Sequence, residues 1–229
     1  MRVDSIKSVD DMFAILKEKG RFLSEFKKGD TIKVWNKMEK NYSYVLEEDP
    51  GKGFADGFTP YLNPGEILAL GAFGGKYLND CILEFPAEWF WRAGLLGKLS
   101  PEGARVDINY FKIDSRLSLS EWRKYGWVPA GQRPAGQRPE GQGQGGKKLG
   151  GKRAVLSDAE KNPDERGWFQ WYCRYWMGRR IPELDEVQIQ RWKNFSRHAG
   201  AIAKNCVKGD LSCRPRQRQA LLHWAWPFD

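Results

Sequence analysis

Arginines and tryptophans interleave from Trp168 to Trp226, through GWFQWYCRYWMGRR, QIQRWKNFSRHAGAIAKN and CRPRQRQALLHWAW. Six of the chain's eleven tryptophans fall in this run, where leucine or isoleucine would suffice for a core. Guanidinium forks pair with phosphate, and aromatic faces beside them suit a polyanion with exposed bases. The candidate contacts are Arg174, Arg179, Arg180, Arg191, Lys193, Arg214, Arg216 and Arg218. The last three alternate through an expected helix start, whose free N–H groups also attract anions. Gln217 and Gln219 have the donors and acceptors to read adenine.

Charge placement supports the same partner. Residues 1–128 carry 19 Lys+Arg and 19 Asp+Glu, residues 129–163 carry 7 against 3, and residues 164–229 carry 12 against 7. The net charge of +9 therefore lies entirely after residue 128. That asymmetry predicts a nucleic-acid partner, DNA before RNA, for the C-terminal part.

Two other groups could do chemistry. Lys76, Asp80 and Glu84, with Glu88 beyond, are spaced so that carboxylates converge, which would suit Mg²⁺ binding or acid–base work on a phosphorylated substrate. No nuclease, glycosidase or phosphotransfer pattern frames them. GAFGGK departs from a phosphate loop at Leu70, where glycine is needed, and at Tyr77, where Ser or Thr is needed. No cofactor motif is present. The alternative is a structural zinc on Cys173, His198, Cys206 and Cys213, a tetrahedral ligand set without a Cys-x-x-Cys pair. With only two histidines, multi-histidine metal hydrolases, two-histidine iron oxygenases and zinc deaminases are excluded. No G-x-S-x-G elbow occurs. A third reading is a protein-interaction module whose surplus tryptophans form a contact patch.

The elements that position these residues have clear signals. Ser8 with Asp11 is a capping box ahead of Met12, Phe13, Ile15 and Leu16. Thr31–Trp35 and Tyr42–Glu47 read as strands around a polar turn. Asn63, Pro64 and Glu66 start a second helix, Pro86 a third, and Ser118 with Glu121 a fourth that carries Trp122. Trp168, Trp171, Tyr172, Tyr175 and Trp176 recur at helical spacing, a pattern that reads as core. A helix is expected from about Asp185 to Asn205, and another capped by Ser212 with Pro215 in its first turn.

The organisation expected is a mixed part, 1–128, a flexible linker, 129–163, and a basic helical part, 164–229. The linker reads PAGQRPAGQRPEGQGQGGKKLGGKR at 129–153, with Leu149 as its one large aliphatic anchor. The fold class expected is α+β, mainly helical, with the aromatic C-terminal part packed on the mixed N-terminal part. No apolar run approaches the roughly 20 residues that span a bilayer. The N-terminal residues lack a secretory apolar stretch, and four cysteines in this length do not read as a disulfide framework. An intracellular protein, cytoplasmic or nuclear, is expected.

The blocks LGAFGGKYLNDCILEFPAEWF, LSEWRKYGWVP, GWFQWYCRYWMGRR and CRPRQRQALLHWAW resemble a family of hypothetical proteins in which the second and third blocks stand close together. The resemblance covers residues 42–128 and 164–226. It implies that 129–163 is an insertion and that the remainder is one domain. It brings no activity, ligand or catalytic residue.

Overall fold

The computed structural model describes residues 3–115, 121 and 163–229. The Ser118–Trp122 helix start (Glu121 aside) and the 129–163 linker (Pro163 aside) lie outside them.

Helix α1, Val9–Lys19, starts where its capping box requires. The Asp11 N–H donates to Ser8 Oγ at 3.1 Å and the Ser8 N–H to Asp11 Oδ2 at 3.0 Å, satisfying both orphan donors. Met12, Ile15 and Leu16 then share the buried side. Strands β1, Thr31–Val34, and β2, Tyr42–Val45, pair antiparallel with Ile32 opposite Tyr44. Ile32, Val34 and Tyr44 point inward with period two. Helix α2, Pro64–Ala69, takes Asn63 as its cap, and helix α3, Ala87–Leu95, follows Pro86.

The C-terminal part supplies four helices among the described residues: α4, Trp168–Met177; α5, Pro182–Asn194; α6, Ser196–Asn205; and α7, Pro215–His223. The single helix expected from Asp185 to Asn205 is thus two, joined at Phe195. The Phe195 N–H donates to Trp192 O, three residues back, and its ring stacks on Trp224 at 4.2 Å. Phe195 keeps helical backbone angles, φ −71° and ψ −16°, and the His198 N–H donates to Phe195 O at 2.9 Å, so i→i+3 bonds tighten the turn between the two helices. The next helix also starts later than expected. Ser212 bonds Asp210 instead of capping, and Arg214 stands in the cap position with φ 55°.

One buried cluster runs through both parts, from Val3 to Phe228, so α4 packs against the N-terminal part as expected. Phe58 is its hub. Its ring centroid lies 5.0 Å from Trp192, 5.5 Å from Tyr175 and 5.7 Å from Trp171. Burying such a side chain stabilises by about 1.5–3 kcal/mol. Backbone polar groups are satisfied across the same seam. Tyr172 Oη donates to Leu62 O at 2.7 Å, and the Ala55 N–H donates to Tyr175 Oη at 2.9 Å. At the end of α4, Gly178 has φ 111°, and a Cβ there would stand 2.0 Å from Glu48 O. Only glycine permits the segment after β2 and the end of α4 to meet this closely.

Candidate nucleic-acid interface

The eight basic residues singled out in the sequence separate by burial. Arg174 is fully buried. Its Nε donates to Glu84 at 2.6 Å, Nη2 to Glu39 at 2.9 Å, and Nη1 to Asp164 and to Pro163 O, both at 3.0 Å. Arg179 forks onto Asp164 at 2.9 and 2.6 Å. Arg166 pairs with Asp80 at 2.7 Å. The result is a largely buried network of three arginines and four carboxylates between α4, the strands and the Asn79–Glu84 turn region, with Arg166 at its more accessible edge. Burial pushes the Glu84 carboxyl above its usual range against the pull of Arg174; burial also opposes the charge on Arg174, but the carboxylates around it together raise that guanidinium. The 2.6 Å contact between them has the length of a charge-assisted hydrogen bond.

This corrects the expectation for Arg174 and Arg179, whose guanidinium groups compensate buried carboxylates and are closed to a phosphate. Arg218, also buried, donates to the carbonyls of Asp210, Cys213 and Phe228. Arg180 is half-buried and donates to the carbonyls of Tyr175, Arg179, Lys52 and Gly53. Arg191 is half-buried, bonds Gln188 Oε1 at 2.9 Å and lies 5.6 Å over the Trp224 ring. Burial draws its pKa down to about 10. Lys193, Arg214 and Arg216 are the exposed members.

The other readings meet similar corrections. Asp80 and Glu84 belong to the buried network, while Lys76 is exposed. Glu88 accepts from the Leu23 N–H at 2.9 Å. The structure therefore does not bring these groups together as an acid–base pair. The zinc set is dismantled as well. Cys206 and Cys213 form a disulfide, because a turn brings the end of α6 to the start of α7. Cys173 is buried and its thiol is pushed up, away from the thiolate that zinc needs. No group of three or more His, Cys, Asp or Glu arranged for a metal occurs among the described residues. GAFGGK is a left-handed turn in which Phe73 has φ 61° and Gly74 φ 66°. The six tryptophans of the run are buried or half-buried, so they do not form an exposed patch.

Three exposed cations escaped the sequence reading: Arg197, Lys204 and Lys208. A local charge count would have found them. Residues 187–217 hold seven Lys or Arg and one acid, Asp210. That acid is engaged locally. Ser212 Oγ donates to Asp210 Oδ1 at 2.6 Å and the Ser212 N–H at 2.9 Å, which holds the carboxyl below its usual range.

Arg197 and Lys204 are seven residues apart on α6 and so point to one side. Gly200 lies between them, with open space where a Cβ would be. A glycine inside a helix costs about 1 kcal/mol against alanine, and packing does not require it here. Gly200→Ala should raise the urea midpoint by the equivalent of about 0.5–1 kcal/mol; a lower midpoint would show a packing role.

No protein-family model, curated protein or solved structure matches the chain. No helix among the described residues is long and apolar enough to cross a membrane.

Proposed function

We propose that the protein binds nucleic acid, duplex DNA in the first place, through the exposed cations between the end of α5 and the first turn of α7. The observation that carries this reading is the composition of residues 187–217, where outward-facing cations meet one locally engaged acid. The contacts are Lys193, Arg197, Lys204, Lys208, Arg214 and Arg216. Arg191, half-buried beside the Trp224 ring, adds its charge to this surface. Phosphate contact of this kind positions a duplex without reading its sequence.

Duplex is favoured over single strand by what the aromatic side chains do. A single-strand binder presents ring faces on which bases stack. Within the basic C-terminal part, Trp168 stacks on Trp224 at 4.7 Å and Trp192 on Trp226 at 4.6 Å. Those faces are occupied by one another. At Gly200, between Arg197 and Lys204, nothing stands within 4 Å of where a Cβ would be, which leaves room for a phosphate backbone to approach.

The test is a titration of the purified chain with a labelled DNA duplex and with the corresponding single strand, repeated at rising salt. The duplex is expected to bind more tightly and to be released steeply by salt. Absence of binding, or binding that salt leaves unchanged, would refute the proposal.

A further inference from the structure

We infer that the loop from Cys206 to Cys213 is a rigid apolar wedge that enters the minor groove of duplex DNA. This rests on the nucleic-acid reading above and adds to it the element that deforms the duplex. Val207 is 77 % exposed and Leu211 37 %. Single apolar side chains on a surface are ordinary. What sets this pair apart is how firmly its loop is held.

Four restraints act on eight residues. The Cys206–Cys213 disulfide closes the loop at its base. The buried Arg218 guanidinium grips it from below, donating to Asp210 O and Cys213 O, both at 2.9 Å. At the tip the Asp210 N–H donates to Val207 O at 3.1 Å, closing a turn in which Gly209 takes φ 86°. The Asp210 carboxylate then binds the Ser212 hydroxyl and amide. A loop left soft would lose about 1–2 kcal/mol per residue on being ordered by a partner. This one is ordered beforehand and presents its apolar side chains in a fixed shape.

The rim identifies the partner. Lys204, Lys208, Arg214 and Arg216 lie within or beside the loop in sequence and are exposed. Cations that hold phosphates on either side of an inserted aliphatic side chain are the chemistry of minor-groove wedges, which part a base step and kink the duplex. A lipid surface would meet the same charges, but two short aliphatic side chains bury too little for stable anchoring, since even a whole myristoyl chain is marginal.

The test uses Val207→Ser/Leu211→Ser in the full chain, with the disulfide intact. A short duplex labelled at both ends reports binding and, by energy transfer, the end-to-end distance. The wild-type protein should shorten that distance on binding. The variant should bind about tenfold more weakly, with the shortening lost and the salt dependence kept. Cys206→Ser/Cys213→Ser, which keeps both apolar side chains, should show a reduced shortening. A Val207→Ser/Leu211→Ser variant that binds and bends the duplex like wild type would overturn the wedge while leaving the basic surface standing. Wild-type protein that binds no duplex would overturn the underlying reading first. Variant loss confined to vesicles of phosphatidylserine and phosphatidylcholine, with DNA binding and bending intact, would assign the loop to lipid and overturn the inference.

Discussion

Arg174→Met is expected to lower the unfolding free energy by about 3–5 kcal/mol, read from a urea transition. The methionine fills much of the space, so a cavity is not the main effect. What is lost is the charge that makes a dry site tolerable for Glu39, Glu84 and part of Asp164. Arg179 still neutralises Asp164, but Glu84 has Arg174 as its only salt-bridge partner among the described residues. A carboxylate stranded in the interior must take up a proton or admit water, and both cost stability. With domain stabilities of about 5–15 kcal/mol, the change removes a large share of the total. Arg174→Lys should fall between, because a lysine restores the charge without the fork that reaches Glu84 and Glu39 together. DNA affinity of the folded fraction should be unchanged. A stable Arg174→Met protein with weakened DNA binding would contradict the structural role and return Arg174 to the interface.

The division between Arg174 and Arg214 is where sequence reading stops. Local signals were legible because their physics is local. The Ser8–Asp11 box, the Asn63–Pro64–Glu66 start and the two strands each depend on residues a few positions apart, and all appear in the fold. The aromatic stripe of α4 was likewise legible as core from its period. Arg174 was not, because Glu39 lies 135 residues earlier and Glu84 90 residues earlier. Nothing within GWFQWYCRYWMGRR distinguishes an arginine facing solvent from one facing a buried carboxylate. Arg218 is similar, since its partners are backbone carbonyls, which any sequence supplies. The break at Phe195 leaves no mark in the sequence, because no glycine or proline stands there and the bonding only tightens to i→i+3. The Cys206–Cys213 bridge required the turn at Gly209.

The second large effect is on binding. Lys204→Gln/Lys208→Gln/Arg214→Asn/Arg216→Gln removes four exposed cations around the stapled loop. Asparagine is chosen at 214 because φ is 55° there and asparagine adopts that region more readily than most residues. None of the four native side chains is buried, so stability should change little. Affinity for duplex DNA at 0.1 M salt should fall on the order of a thousandfold, since four phosphate contacts each release close to one counterion. The same number of substitutions on the neutral N-terminal part, at Lys17, Lys19, Lys27 and Lys28, should cost far less. Equal losses from the two sets would mean that only overall charge matters and that residues 187–217 are not the site.

The most direct measurement is the slope of log affinity against log salt concentration for wild-type protein and the four-site variant on one duplex. Six phosphate contacts predict a wild-type slope of about −5, and the variant, with Lys193 and Arg197 left, should retain a slope of about −2. A flat wild-type slope, or a steep slope that the four substitutions leave unaltered, would contradict the assignment of the exposed cations to DNA.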